Sequence, residues 1–205
     1  MYLTKIEMEL SSPAVRAALQ DAQKMHRLVC GCFGQARKEA DILYRCRTRG
    51  IYADLYLYSA RAVDRERLLP GMRLCAERDV TPWLDAMSAG DVFRFQVVTV
   101  PFRKTAEPGV KNSRRRALAA VEERIAWLER KAAQNGFEIL SVQETPAEKL
   151  TARRAAEAGG SLTVDAYTYT GILRISDASL FRQAMCRGIG AEKAYGLGML
   201  MLGGC

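Results

Sequence analysis

The sequence predicts an α+β fold in which two small domains, each with the element order β-α-β-β-α-β, follow one another along the chain. Strand-type alternation followed by helical spacing occurs near the N-terminus and again after residue 90. The chain has 205 residues, 49% of them apolar, which is enough for two cores of roughly 100 residues each. No sequence repeat accompanies the repeated order. The prediction of two tandem ferredoxin-like (RRM-like) domains, residues 1–90 and 91–205, therefore depends on the elements themselves.

The first domain opens with a strand and a helical stretch. Residues 5–10 alternate between charged and apolar side chains, as in a strand with one buried face. Residues 13–33 carry apolar side chains at three- and four-residue steps, which indicates a helix with its first turn at Pro13. That helix could run unbroken, or Asp21 could cap the start of a second one. Both interpretations are compatible with the spacing.

A hairpin completes the clear part of the first domain. Residues 41–47 and 51–59 read as strands that a tight turn at Gly50 connects. After residue 59 the pattern weakens, and only a turn at Gly71 and a short helix over residues 81–87 are predicted. The first domain therefore shows the order β-α-β-β without a visible fourth strand.

The second domain shows all six elements. They are a strand at residues 91–100, a helix from Leu118 that ends at Gly136, strands at 137–142 and 162–175, a helix over 177–187 capped by Asp177, and a closing strand at 197–202.

Charge indicates the class of partner. The formal net charge is +8 and the pI is about 9.3. Lys and Arg that neutralise phosphates release condensed counterions, so this balance favours nucleic acid. The sequence has neither a helix-turn-helix nor a zinc-finger pattern, which makes DNA the weaker choice.

Cysteine usage and the N-terminus indicate the compartment. The six cysteines contain no Cys-x-x-Cys pair, and one histidine cannot complete the usual His-containing zinc patterns. We expect reduced thiols in a cytoplasmic protein, with neither metal nor cofactor. The first ten residues read as a strand rather than a leader, and no apolar run approaches the roughly 20 residues that cross a bilayer.

Two basic stretches are candidates for RNA contact. Residues 105–116 (TAEPGVKNSRRR) have the composition of a mobile basic loop, although a simple solvated loop fits equally well. Residues 149–154 (KLTARR) precede two glycines and a strand, so we expect them on one arm of a projecting hairpin, which could enter a nucleic-acid groove. The cations of these stretches are Lys111, Arg114, Arg115, Arg116, Lys149, Arg153 and Arg154.

His26 is the natural candidate for proton transfer at neutral pH, because histidine titrates there without any shift of its pKa. On an unbroken helix its position, four residues after Ala22 and three before Val29, would make it a packed core histidine. If Asp21 starts a new helix, His26 lies within the first turns, where exposed N–H groups favour phosphate. The sequence leaves both interpretations open.

The stretch GIGAEKAYGLG, residues 188–198, places four glycines between a helix and a strand. Glycines let a backbone approach a partner closely and offer N–H groups to phosphate oxygens. The stretch is neither a dinucleotide fingerprint nor a P-loop, because it follows a helix and lacks both spacings. A plain connector from helix to strand is the competing interpretation.

Four segments together resemble the CasE (Cse3) family, the CRISPR repeat-cleaving endoribonucleases of type I-E Cascade complexes. They are the start MYLTKI, the triplet Met25-His26-Arg27, the helix segment Trp127-Leu128-Glu129-Arg130 and the ending GIGAEKAYGLGML. The likeness spans essentially the whole chain. It implies tandem ferredoxin-like domains, recognition of a CRISPR repeat hairpin, one metal-independent cut at its 3′ base, and retention of the mature guide RNA in Cascade.

The resemblance also implies roles for particular residues. His26 matches the catalytic histidine, while a tyrosine that family members have three residues earlier is replaced by Gln23. Gln23 cannot supply a phenolic proton, but it can orient a hydroxyl or donate to a phosphate oxygen, so it is the second catalytic candidate. With no second histidine, the other proton-transfer role falls to Gln23, Lys24, water or a cation such as Lys193. The glycine-rich loop is expected close to the active site and the RNA backbone. Our own hypothesis places Arg27 near the scissile phosphate. The RNA-binding candidates of these two segments are Arg27, Gly188, Gly190, Lys193, Gly196 and Gly198. A non-catalytic subunit that only caps the guide RNA hairpin is the alternative, and Gln23 makes it plausible.

Overall fold

The computed structural model describes residues 1–34, 41–105, 114–153 and 161–204. Its five α-helices are α1 (Pro13–Leu19), α2 (Ala22–Gly31), α3 (Thr81–Asp85), α4 (Val121–Gln134) and α5 (Ala178–Arg187). Its ten strands are β1 (Tyr2–Glu9), β2 (Leu43–Arg49), β3 (Tyr52–Ser59), β4 (Met72–Asp79), β5 (Val92–Thr99), β6 (Phe102–Thr105), β7 (Arg114–Ala117), β8 (Phe137–Arg153), β9 (Ser161–Ile175) and β10 (Met201–Gly203).

The first sheet has the strand order β2-β3-β1-β4, and all neighbouring strands are antiparallel. The alternation in β1 buries Ile6 and Met8 completely, as the sequence predicts. Helices α1 and α2 cover this face, where Leu55 and Leu57 of β3 complete the core with Val29 of α2. This arrangement fixes α2, the helix that carries His26, against the sheet.

The second sheet repeats the arrangement with the order β10-β5-β9-β8, again antiparallel throughout. Helices α4 and α5 contribute Trp127, Leu128 and Phe181 to its core. Tyr58 and Leu43 of the first sheet pack into the same core. Both sheets have the strand order of a ferredoxin-like domain, so the predicted α+β class with two tandem ferredoxin-like units is confirmed.

A buried ion pair connects α4 to β8. The Arg124 guanidinium lies 2.6 Å from a carboxylate oxygen of Glu144, and each side chain is 7% exposed. The guanidinium also lies 4.1 Å from the centre of the Tyr167 ring on β9. Hydrogen bonding to Glu144 raises the pKa of Arg124. Burial opposes ionisation of Glu144, but its bonds to Arg124 prevail and lower its pKa.

Two predictions for the first domain were incomplete. Strand β4 was missed because it is an edge strand that pairs with β1, and its apolar alternation is limited to Met72 and Leu74. The second crossover of the domain, residues 60–71, contains only a short 3-10 turn at Arg65–Arg67 in place of a helix.

Three predictions for the second domain need correction. Strand β8 runs to Arg153, well beyond residue 142. The closing strand β10 is limited to Met201–Gly203, since residues 197–200 are a buried, non-strand segment. A hairpin of β6 and β7 is inserted before α4, at a place where the sequence indicated a loop. Of the helices in the described ranges, none combines the length and apolar character needed to cross a bilayer.

Candidate functional site

Asp21 decides how the catalytic candidate is presented. It has extended backbone angles (φ −147°, ψ 113°) and caps α2, because its carboxylate accepts a hydrogen bond from the Gln23 amide at 2.9 Å. The helical stretch is therefore divided, and the second of the two interpretations of the sequence is correct. His26 lies in the second turn of α2 and is half-buried, between the buried Met25 and the exposed Arg27.

The glycine-rich ending reaches His26 through Tyr195. The His26 and Tyr195 rings are nearly perpendicular (85°), with centroids 6.5 Å apart. The Tyr195 hydroxyl donates a hydrogen bond to the Oε1 of Gln23 at 3.2 Å. One turn further along α2, the Cys30 Sγ lies 3.7 Å from Nδ1 of the imidazole. The fold thus brings together two segments that are far apart in the sequence, since 172 positions separate Gln23 from Tyr195.

The glycines give the loop its shape. Gly198 has a positive φ of 79°, accepts a bond from the Ile189 amide (2.8 Å) and donates one to the Val98 carbonyl (2.7 Å), so the loop closes on itself against β5. Gly196 has φ 81°, and a Cβ there would lie 2.7 Å from a ring carbon of Tyr44. Larger residues at these positions would displace the loop.

Contact of these glycines with RNA stays a prediction. Gly188, Gly196 and Gly198 are buried, whereas Gly190 and Lys193 are half-buried. The glycines therefore have a packing role. From the sequence, such a role belonged only to the competing interpretation, a plain connector from helix to strand. The half-buried 3-10 turn Lys193–Tyr195 is the part of the loop that lies against α2.

The predicted hairpin arm exists and is anchored to the site. Lys149 and Arg153 lie on β8, which pairs with β9 as far as Arg153–Ser161. The Arg153 amide donates to the Asp21 carboxylate at 3.4 Å, so the arm contacts the residue that caps α2. Both cationic side chains are exposed, and the Lys149 ammonium lies 4.0 Å from Asp165. Arg154 lies outside the described residues.

The prediction of a basic loop at residues 105–116 was wrong for its two described ends. Thr105 ends β6, and 114–116 belong to β7, because the two strands pair in register. Arg115 lies over the Phe102 ring (4.9 Å) and forms an ion pair with Glu192 of the glycine-rich loop (2.9 Å). Arg116 is exposed. Lys111 and the side chain of Arg114 lie outside the described part of the chain.

A cleft of about 570 Å³ adjoins these groups. Helices α1 and α2, strand β2, the β8–β9 hairpin and the segment from Tyr195 to Leu197 enclose it. Three cationic residues line it, Arg45, Arg47 and Lys149, and none of the described lining residues is acidic. Such a groove suits a polyanion, because phosphates gain from several cations and none of the described lining residues opposes them with a carboxylate.

Sequence reasoning missed three residues of this site. Arg45 and Arg47 alternate along β2 (LYRCRTR), a signal that was visible but was interpreted only as a strand. Tyr195 is the one aromatic residue of the stretch 188–198, yet nothing in the sequence indicates that its hydroxyl meets α2. In the described residues no group of three or more His, Cys, Asp or Glu side chains could hold a metal ion.

Known proteins resemble this chain over its full length. Residues 1–203 match the family described as CRISPR associated protein. The CRISPR-associated endoribonuclease Cse3 of Thermus thermophilus is 28% identical over 212 residues, covering 98% of each chain. A CRISPR endoribonuclease Cse3 bound to a 19 nt RNA has a TM-score of 0.86 at 28% identity, covering 99% of this chain and 100% of that one.

A larger assembly contains a similar chain. One chain of a CRISPR RNA-guided surveillance complex, in its pre-nicking state, has a TM-score of 0.73 at 29% identity, and the match covers 100% of both chains. The sequence family, the relative and both structures agree with the resemblance that four sequence segments indicated. The chain belongs to the family of CRISPR-associated proteins that includes Cse3, also called CasE.

Proposed function

We propose that this protein is an endoribonuclease that binds the CRISPR repeat hairpin and cleaves precursor CRISPR RNA at the 3′ base of that hairpin. The observation that carries the proposal is the meeting of His26 with the glycine-rich loop beside a cleft lined by cations. The names of the similar proteins, an endoribonuclease and an RNA-bound Cse3, support the same activity.

The chemistry needs no group that the chain lacks. The 2′-OH attacks the adjacent phosphorus in line, and the bond to the 5′-oxygen breaks. The products are a 2′,3′-cyclic phosphate and a 5′-OH, and the protein has to position the RNA, move protons and stabilise charge. His26 acts as general acid or base, a role typically worth about 10² to 10⁴ in rate. Arg27, exposed one position further along α2, is the proposed contact of the scissile phosphate.

Binding is assigned to cations on both sides of the cleft. Arg45 and Arg47 extend from the first sheet, and Lys149 and Arg153 from the β8 arm, so RNA in the cleft would contact both domains. Arg115 and Arg116 on the β6–β7 hairpin are proposed to contact flanking phosphates. Arg115 would do so while it is ion-paired with Glu192. The shape of the hairpin and a few base contacts then select the repeat.

The cellular setting is part of the proposal. We propose that the protein stays on the mature guide RNA after the cut and joins a Cascade assembly in the cytoplasm, since a similar chain belongs to a CRISPR RNA-guided surveillance complex. We propose a domain boundary near residue 90, which lies between the end of α3 and the start of β5 at Val92.

Cleavage of labelled repeat RNA by the pure protein in EDTA tests the function. We expect a single cut and a product that ends in a 2′,3′-cyclic phosphate. A repeat RNA with 2′-deoxyribose at the cut should bind and stay intact, because the nucleophile is missing. RNA that is bound but uncut in the unmodified repeat would instead favour the non-catalytic cap that Gln23 makes plausible.

A further inference from the structure

Cleavage by one histidine leaves one proton unassigned. Breaking the bond to the 5′-oxygen produces an alkoxide, which leaves readily only when a second group protonates it. On the basis of the proposed function, we infer that the Tyr195 hydroxyl is that group. Tyr195 would then be a second catalytic residue, supplied by the glycine-rich loop, whereas His26 is supplied by α2.

The position of the phenol supports this assignment. Tyr195 is half-buried and lines the cleft, so a ribose-phosphate step bound in the cleft would lie beside this residue. Its ring meets the His26 ring edge to face, with centroids 6.5 Å apart, a separation in which a phosphodiester can contact both groups. Groups that act on the attacking and the leaving oxygen need this placement on either side of the phosphorus.

The loop holds the phenol in place. The Tyr44 hydroxyl donates to the carbonyl of Ala194 at 3.0 Å, one residue before Tyr195. Gly196, one residue after it, packs directly against the Tyr44 ring. Because both neighbours of Tyr195 are fixed to β2, the ring is preorganised before RNA arrives.

Gln23 becomes a positioning residue in this arrangement. Its amide has no proton that it can transfer at neutral pH, but its Oε1 accepts the hydrogen bond of the Tyr195 hydroxyl at 3.2 Å. The bond directs the phenol toward the face of α2 on which His26 lies. Gln23, which cannot itself supply a proton, therefore orients the phenol of Tyr195 on the glycine-rich loop.

The reaction then balances without a further reactant. Neutral His26 accepts the proton of the 2′-OH as the bond from its oxygen to phosphorus forms. As the bond from phosphorus to the 5′-oxygen breaks, Tyr195 gives its proton to that oxygen, and water returns a proton to the phenolate. A phenol can donate a proton and a neutral imidazole can accept one, so the two roles suit the two side chains.

A substrate with a better leaving group separates this role from a structural one. Single-turnover rates would be measured for wild type, Tyr195→Phe and His26→Ala on two substrates. One is native repeat RNA, and the other is the same RNA with a bridging 5′-phosphorothiolate at the cut. The thiolate of the second substrate leaves without being protonated. Tyr195→Phe keeps the ring and its packing. Tyr52→Phe, on the β2–β3 hairpin, is the matched control and should cleave both substrates like wild type.

We expect Tyr195→Phe to slow cleavage of native RNA by about 10² to 10⁴ fold and to cleave the phosphorothiolate within a few fold of wild type. His26→Ala should be slow on both substrates. Equal slowing of Tyr195→Phe on both, or no slowing on native RNA, would overturn the assignment while leaving the proposed endoribonuclease intact. Native RNA that wild type leaves uncut would overturn both.

Discussion

Replacement of Asp21 tests how the fold presents the catalytic helix. The carboxylate accepts bonds from the Gln23 amide at 2.9 Å and from the Arg153 amide at 3.4 Å, so Asp21→Ala removes the cap of α2 and the contact of the β8 arm together. Loss of such a cap costs about 1 kcal/mol, and the longer second bond adds roughly 0.5 kcal/mol. We expect Asp21→Ala to lose about 1.5 kcal/mol of unfolding free energy, measured by urea denaturation.

Asp21→Asn is the matched variant, because asparagine caps a helix about as well as aspartate. It loses only the interaction of the charge with the helix dipole, about 0.5 kcal/mol. Since Gln23 and His26 lie in the first turns of α2, single-turnover cleavage should fall in Asp21→Ala and be largely retained in Asp21→Asn. Equal destabilisation by both substitutions, or none by Asp21→Ala, would show that the Asp21 carboxylate does not stabilise α2 as a cap.

The same comparison has a defined pH dependence. Burial tends to raise the pKa of Asp21, but the amides of Gln23, Arg153 and Lys24 outweigh it and the pKa lies below the ordinary value. A lowered folded pKa means that the carboxylate stabilises fully at pH values above its unfolded pKa. That contribution is lost as the pH falls through the folded pKa. The difference in unfolding free energy between wild type and Asp21→Ala should therefore become smaller as the pH falls through the folded pKa of Asp21.

Three further predictions concern the loop, the cleft and the buried ion pair. Gly196→Ala should cost more unfolding free energy than Gly50→Ala, for which we expect about 1–2 kcal/mol from the left-handed backbone conformation alone. Both positions need positive φ, but only at Gly196 would the new Cβ lie 2.7 Å from an aromatic carbon. Equal melting temperatures of the two variants would contradict this. Arg47→Ala should weaken RNA binding and reduce the slope of log K against log salt by about 0.7 to 0.9, and an unchanged slope in filter binding would remove Arg47 from the interface. Glu144→Gln leaves the Arg124 guanidinium buried without its carboxylate. We expect it to lower the unfolding free energy by about 3–5 kcal/mol, measured by urea denaturation. A loss below about 1 kcal/mol would show that water or backbone carbonyls replace the carboxylate.

Local chemistry explains what the sequence could predict. The strands β1, β3 and β9 and the helices α4 and α5 are recognisable because each has a buried face that imposes a period on the sequence. Strand β4 has only the beginning of such a face, because Met72 and Leu74 pack against the core and most of its other side chains are exposed. Its strand state depends mainly on backbone pairing with β1, which the residue types do not encode.

The site was predictable only in part for a similar reason. His26 could be selected from its chemistry, and Asp21 from its capping preference, since both properties are local. The contact between Gln23 and Tyr195 joins residues 172 positions apart and exists only once both domains are folded. A spacing rule along the chain cannot reveal such a contact, so Tyr195 could not be recognised as a site residue from the sequence.

The proposed function requires that His26 performs chemistry rather than packing or RNA binding. Its most direct test is a paired measurement on His26→Ala: the single-turnover rate of repeat cleavage and the dissociation constant for the same RNA. We expect cleavage to be abolished while the affinity stays within a few fold of wild type, because the half-buried ring lies beside the cleft and is not sealed in the core. Cleavage by His26→Ala at the rate of the wild-type protein would show that His26 is not a catalytic residue.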